Sequence, residues 1–176
     1  MGDSMKLKPA VYAGIIAAAA LSRLIPHAPN FTPIGTLALF AGASFEEGIA
    51  AYAVPIAAML LSDALLGYGF HHAMPTVYAS FLLTVFLGRA LRGRNRNAAS
   101  VAAASLASST LFYALTNLSV WMYSSMYPHT ITGLTACYIA AIPFFGNTLA
   151  SGVFYSALMF GSAALADRTV LKAATA

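Results

Sequence analysis

Charged side chains are scarce in this sequence. Asp, Glu, Lys and Arg make up 8% of its 176 residues, whereas a typical soluble domain contains about 25%. Hydrophobic residues make up 60%, and the mean hydropathy is +0.76. This composition excludes a soluble globular domain, a disordered chain and a nucleic-acid-binding protein, in spite of a formal charge of +4. We therefore predict an integral membrane protein.

Cysteine and the common catalytic motifs are also missing. The single cysteine, Cys137, excludes a disulfide framework and a cysteine-based zinc cluster. The chain has no Gly-rich phosphate loop followed by Lys and Ser or Thr, no His-Glu-x-x-His and no Gly-x-Ser-x-Gly. We predict that it is not an enzyme and hydrolyses no ATP.

Six apolar segments approach the length of about 20 residues that a membrane-spanning helix needs. They are Pro9 to Ile25, Pro33 to Phe45, Ile49 to Gly67, Pro75 to Leu91, Ala98 to Tyr123 and Gly146 to Leu165. The second is short and spans only if it is tilted, if the bilayer is thinned, or if part of the preceding loop is buried. We predict an all-α protein with one six-helix membrane domain over residues 9–166. Residues 1–8 form a polar tail, whose start resembles a cloning remnant ahead of Met5, and residues 167–176 form a C-terminal tail.

One further apolar segment, Ile131 to Phe145, is assigned by the distribution of positive charge. Cytoplasmic loops of membrane proteins are rich in Lys and Arg. Six spans with both termini in the cytoplasm place eight of the nine basic residues on the cytoplasmic side and leave only Arg23 near the outer side. A seventh span would move Arg168 and Lys172 outside. We therefore predict that Ile131 to Phe145 is a long outer loop or a re-entrant segment before the last helix.

This topology brings all four histidines to the outer side, together with other polar and aromatic side chains. An interfacial aromatic belt explains a single tyrosine there, whereas the clustering of the histidines favours a small-molecule site. The predicted substrate-binding residues are Asn30, Asp63, Tyr68, His71, His72, Asn117, Trp121, His129 and Asn147.

Asp63 is the only acidic residue within a predicted span. A carboxylate at that depth is costly unless it is paired or solvated. Because Arg23 is the one basic residue near the outer side, we predict an Arg23–Asp63 ion pair. The pair either contributes to a binding site or only joins two helices.

The first span is rich in small residues, and Ala13 and Ala17 lie four positions apart. This spacing lets another helix approach closely. The second helix belongs either to the same chain or to another subunit.

Two stretches carry a resemblance to known membrane proteins. The segment from Pro26 to Gly35, which continues to Ala43, and Leu61-Ser62-Asp63 followed by Gly67-Tyr68 resemble the S-components of energy-coupling factor vitamin transporters. S-components are the substrate-binding membrane subunits of these transporters. The resemblance implies a multi-pass protein of the bacterial cytoplasmic (inner) membrane that binds its substrate near the outer surface.

The resemblance also implies the partners of such a subunit. Ala13 and Ala17 correspond to the small-residue motif that docks on a scaffold subunit, which works with two ATPases; alternatively, the protein acts alone. No permanently bound cofactor is implied.

The best single substrate from this resemblance is a corrinoid, because some solitary S-components of this size handle cobalamin. His71, His72 or Cys137 would then serve as the cobalt ligand. Other vitamins, nucleobase-like compounds and metal chelates stay open as substrates. Two other functions also stay open: a membrane-embedded metal-dependent enzyme using His71, His72 and Asp63, and a structural or assembly protein without a ligand.

Overall fold

Seven α-helices make up the described part of the chain, where no β-strand occurs. The structure is a computed structural model that describes residues 9–69, 73–92 and 97–174, and the side chains of these ranges between residues 13 and 165. The helices are α1 (Pro9–Ser22), α2 (Ile34–Ser44), α3 (Gly48–Leu65), α4 (Met74–Ala90), α5 (Ala98–Tyr123), α6 (Ile131–Ala140) and α7 (Ile142–Ala174). The predicted all-α class is confirmed.

Three of the helices are long and apolar enough to cross a membrane. They are α3, α5 and the Ile142–Leu165 part of α7. The described parts of α1, α2, α4 and α6 are apolar but shorter. By length and composition, the protein is therefore suited to a membrane, and the crossing of the shorter helices stays a prediction.

The helix bounds agree with the predicted spans to within two residues, except at α1, which ends at Ser22 rather than at Ile25, and at α7. The bounds of α5 are those predicted, and α3 and α4 differ by one or two residues at each end. In contrast, α7 begins at Ile142 rather than at Gly146. Pro143 permits this early start because a proline in the first turn of a helix removes no intrahelical hydrogen bond. The helix then continues to Ala174, so most of the predicted C-terminal tail is helical.

The short helix α2 lies at the centre of the bundle. Nine of its 11 residues are buried, and it contacts α3, α4, α5 and α7. Its sequence, Ile-Gly-Thr-Leu-Ala-Leu-Phe-Ala-Gly-Ala-Ser, has no charged face. A helix that is apolar on all sides is stable only when it is surrounded, and this is the position that α2 occupies.

Two glycines allow α2 and α4 to approach each other closely. A Cβ atom at Gly42 would lie 2.2 Å from the carbonyl oxygen of Val85, and one at Gly88 would lie 2.2 Å from that of Leu39. No side chain fits at either position without moving a backbone. The crossing therefore depends on the absence of both Cβ atoms, as in other membrane helix pairs with small residues at the contact.

The end of α5 and the start of α7 lie at the same end of the bundle. Thr76, at the start of α4, donates a hydrogen bond to Ser119 near the end of α5 (3.0 Å). Asn147, near the start of α7, donates to the carbonyl of Pro29 in the loop after α1 (2.9 Å). That loop and the start of α4 line one cavity. The intervening α6 therefore does not run from one end of the bundle to the other.

The segment predicted as a loop or re-entrant element, Ile131 to Phe145, is divided at Ala141 into α6 and the first turn of α7. Two reciprocal hydrogen bonds fix α6 to α5. The Tyr113 hydroxyl donates to the carbonyl of Tyr138 (2.6 Å), and the Tyr138 hydroxyl donates to the carbonyl of Ala114 (2.6 Å). These bonds hold the ten-residue helix against the last part of α5.

We predict that Gly42→Ala and Gly88→Ala each lower the melting temperature of the purified protein. Each added methyl group meets a backbone carbonyl, and such overpacking costs about 1–3 kcal/mol or more. The matched control is Gly161→Ala, because a Cβ atom at Gly161 meets nothing within 4 Å. Thermal unfolding followed by circular dichroism in one detergent measures the difference, and equal melting temperatures for all three variants would contradict the close crossing.

Candidate functional site

A cavity of about 390 Å³ lies at the end of the bundle where α3 ends and α2 and α4 begin. Its volume falls in the range of about 300–1,000 Å³ that small-molecule pockets occupy. Side chains from α2, α3, α4, α5 and α7 and from the loops after α1 and α3 line it. The exposed lining residues, which form the rim, are His27, Pro29, Asn30 and Tyr68. The buried hydroxyl residues, which form the floor, are Thr36, Thr84, Ser105, Ser108, Ser109 and Ser151.

An ion pair lies in the wall between rim and floor. Arg23 Nη1 lies 2.6 Å from Asp63 Oδ1, and the two side chains are only 14% and 7% exposed. The same nitrogen donates to the Ser62 hydroxyl and lies 3.3 Å from the sulfur of Met59. The Tyr78 hydroxyl donates to the other carboxylate oxygen, Asp63 Oδ2 (2.9 Å). The predicted Arg23–Asp63 pair is confirmed, and Tyr78 is a third member that the sequence did not indicate.

This arrangement satisfies a carboxylate that would otherwise be very costly. Burying a charged group is unfavourable unless an opposite charge and hydrogen bonds replace the lost water. Asp63 receives both, one at each oxygen. The pair joins the chain just after α1 to α3, and Tyr78 extends the connection to α4.

The end of α3 directs the chain from Asp63 to the rim. Gly67 has a φ of 71°, which glycine adopts without the penalty of a Cβ atom. The Gly67 N–H donates to the carbonyl of Ala64 (3.3 Å), and the Tyr68 N–H donates to that of Asp63 (2.9 Å). These two bonds form a Schellman cap. The cap places Tyr68 at the rim five residues after the buried carboxylate.

The loop after α1 forms the opposite part of the rim and is held by α7. Asn147 bonds to the carbonyl of Pro29, and the ring of Phe31 contacts those of Phe154 and Tyr155 at centroid distances of 6.1 and 5.8 Å. Asn30 has a φ of 64°, a left-handed conformation that asparagine tolerates better than most residues.

An aromatic pair and two serines define the interior. Phe81 of α4 and Phe112 of α5 stack at a centroid distance of 5.6 Å, and both line the cavity. Ser105 and Ser109, one helical turn apart on α5, face Gly152 of α7: a Cβ atom there would lie 2.8 and 3.3 Å from their hydroxyl oxygens. The interior thus combines aromatic faces with a few polar groups, the usual composition of small-molecule sites.

The predicted site residues fall into four groups. Asn30, Asp63 and Tyr68 line the cavity, and Asn147 holds the rim loop from outside it. His71 and His72 lie outside the described residues.

Asn117, Trp121 and His129 belong to a different part of the structure and are not among the lining residues. Asn117 donates to the carbonyl of Tyr113 one turn earlier (2.8 Å). The Trp121 indole N–H donates to the carbonyl of Pro128 (3.0 Å), and its ring meets that of His129 edge-on at 5.5 Å. The two Trp121 contacts stabilise the turn between α5 and α6, whereas the Asn117 hydrogen bond stays within α5.

Cys137 is buried on α6, where its thiol lies 3.5 Å from the carbonyl of Asn117. It does not line the cavity. Within the ranges that the structure describes, no group of three His, Cys, Asp or Glu side chains lies close enough to hold a metal ion.

The residues that sequence reasoning missed are mainly hydroxyl and aromatic side chains on α4 and α5. Ser105, Ser108, Ser109 and Phe112 occupy positions i, i+3, i+4 and i+7 along α5, which places them on one helix face. That spacing was the available signal. Tyr78 gave no such signal, because its role depends on the packing of α4 against α3.

The two small residues predicted to dock a partner are on the surface. Ala13 and Ala17 are exposed, and a Cβ atom at the neighbouring Gly14 would meet nothing within 4 Å. No other described helix of this chain therefore covers the face that they form.

Comparisons with curated proteins and with solved structures gave no match. A family model does match, over residues 3–174, which is nearly the whole chain. The chain therefore belongs to DUF6580, a family of unknown function.

Proposed function

We propose that this protein is a membrane subunit that binds a small micronutrient from the outer side of the bacterial cytoplasmic membrane for uptake. The observation that carries the proposal is the cavity with its buried Arg23–Asp63 pair. A pocket that five helices build at one end of an apolar bundle suits the capture of a small molecule from one side of a membrane. In this role the chain binds its substrate without catalysing a reaction, as the resemblance to S-components implies.

The proposed orientation has six crossings with both termini in the cytoplasm. The end of α5 and the start of α7 lie at the same end of the bundle, so α6 adds no crossing between them. This arrangement supports the proposed orientation. The basic residues support it independently, since this orientation would place all of them except Arg23 on the cytoplasmic side, as the positive-inside rule favours. The cavity then opens to the outside.

We expect a reporter fused to the C-terminus to remain in the cytoplasm. Alkaline phosphatase at that position should be inactive and green fluorescent protein fluorescent, because the first requires export and the second does not fold after export. The control is the same pair of reporters fused after Tyr127, in the turn between α5 and α6, where the activities should be reversed. An active C-terminal phosphatase would overturn the six-span orientation.

The size of the cavity bears on the substrate. A volume of about 390 Å³ is near the lower limit for small-molecule pockets. A corrinoid, with its macrocycle, side chains and nucleotide loop, needs much more space. The corrinoid stays a prediction of the resemblance, but the volume favours a more compact ligand.

We predict that the wild-type protein retains a small molecule that a cavity-filling variant does not. A Cβ atom at Gly35 lies 3.9 Å from the Phe81 ring, so Gly35→Leu directs its longer side chain into the cavity. Gly161→Leu is the control, because a Cβ atom at Gly161 meets no described atom of another element within 4 Å. Ligands extracted from proteins purified in mild detergent are identified by mass spectrometry.

A compound present in the wild type and in Gly161→Leu but absent from Gly35→Leu supports binding in this cavity. Equal thermal unfolding curves confirm that the variants are folded. No retained compound in any of the three proteins favours a structural or assembly role, and a chemically converted compound favours an enzyme.

The exposed face of α1 provides a docking surface in this proposal. Ala13 and Ala17 leave room for a helix of the scaffold subunit to approach closely. The face lies on the helix that leads directly to Arg23, so a docked partner would contact the helix that immediately precedes a residue of the binding site.

We expect Ala13→Leu and Ala17→Leu to leave ligand binding unchanged and to reduce uptake by cells at least several-fold. Each leucine blocks close helix approach at an exposed position, so the fold of the isolated chain should tolerate it. The control is Ala102→Leu, at an exposed position on α5. Loss of binding by both α1 variants in detergent would show that this face packs within the chain.

A further inference from the structure

We propose that the cavity selects ligands without net charge, either uncharged or zwitterionic, and binds them through hydrogen bonds to Ser105 and Ser109. The inference rests on the proposed binding function and specifies the chemistry of the ligand.

The first observation is the balance of charge in the lining. Of the described side chains that line the cavity, Arg23 carries a permanent positive charge and Asp63 a negative one, and they contact each other. His27 lies exposed at the rim. A ligand with net charge would enter a poorly solvated space in which the described side chains offer no free countercharge, and such burial is strongly unfavourable. An uncharged ligand leaves the net charge inside the cavity unchanged. A zwitterion can place one of its charges beside Arg23 and the other beside Asp63.

The second observation concerns the hydroxyl groups of the floor. A serine in an apolar helix commonly donates to a backbone carbonyl three or four residues earlier, as Ser108 does to the carbonyl of Ser105 (2.9 Å). Ser105 and Ser109 are each only 5% exposed, yet their hydroxyls make no hydrogen bond within the described residues. Because buried polar groups are nearly always satisfied, these two hydroxyls are suited to a polar group of a bound molecule.

The two serines also lie where a ligand can reach them. Both line the cavity, and the absence of a side chain at Gly152 leaves their oxygens accessible from the α7 side. The stacked rings of Phe81 on α4 and Phe112 on α5 line the same cavity. A ligand with a flat apolar part between two polar ends therefore matches the interior: one end meets the serines and the other meets the Arg23–Asp63 pair.

The test uses matched compounds that differ mainly in charge. Purified protein in detergent is dialysed at pH 7 against an equimolar mixture of nicotinamide and nicotinate, guanosine and guanosine monophosphate, and pyridoxine and pyridoxal phosphate. Retained compounds are identified by mass spectrometry, together with any ligand extracted from the protein as purified. We expect every retained compound to have no net charge and the uncharged member of a pair to exceed its anion at least tenfold.

The possible results separate the two proposals. A retained anion or cation overturns the selectivity inferred here and leaves the binding function intact. Retention of nothing, combined with no ligand in the protein as purified, contradicts the binding function itself.

Variants of the floor then test the role of the serines with the compound that was retained. Ser105→Ala and Ser109→Ala should each weaken its binding about 3- to 10-fold, the usual effect of one lost hydrogen bond. Thr110→Val is the control, because Thr110 is exposed on the same helix and its hydroxyl donates to the carbonyl of Leu106 (2.9 Å). Unchanged affinity in both serine variants, with unchanged melting temperatures, would falsify their assignment as ligand contacts.

Discussion

The buried Arg23–Asp63 ion pair is the constraint on which the site depends. Two charges removed from water require each other, and removing one partner of such a pair typically costs about 3–5 kcal/mol. Their contact fixes the chain after α1 against α3, and the Tyr78 hydroxyl adds α4. The position of the rim depends on these contacts, because the Schellman cap at Gly67 directs the chain from the buried Asp63 to Tyr68 at the rim. The ion pair therefore positions the elements at this end of the bundle, and it balances the two permanent charges among the described side chains of the cavity wall.

The helices around the cavity, α2 and α4 above all, contact each other through residues of very different size, and this difference leaves room for the cavity. At Gly42 and Gly88 the backbones of α2 and α4 are in contact, so no space remains there. Towards the other end of the same helix pair, Phe81, Tyr78 and their neighbours hold the helices and loops apart around the cavity. Close approach at one end and bulky side chains at the other separate a packed region from an open one within a single bundle.

Much of the fold follows from the sequence, since apolar length and charged loops largely define membrane helices. The bounds of α5 and the Arg23–Asp63 pair were predictable because a long apolar run and a lone intramembrane acid are strong signals. The hydroxyl groups of the cavity floor were not predictable, because a serine in an apolar helix usually donates a hydrogen bond to the backbone of its own helix. Only the packed structure shows that Ser105 and Ser109 do not. Trp121, which the sequence suggested as a substrate-binding residue, does not line this cavity, since its indole N–H donates to the carbonyl of Pro128 in the turn before α6. Its ring therefore lies beside His129 rather than in the cavity.

The arrangement of α1 connects the proposed docking surface to the proposed site. Ala17 precedes Arg23 by six residues, which is less than two helical turns. A partner that shifts α1 would therefore act directly on Arg23, with no other helix in between. Such a shift would strain the contact of Arg23 with Asp63. Because separating two buried charges is costly, the ion pair would oppose opening of the cavity until the ligand or water replaced the lost contact. In the proposed transporter, the same ion pair that neutralises the cavity would thus resist release of the ligand when no partner is docked.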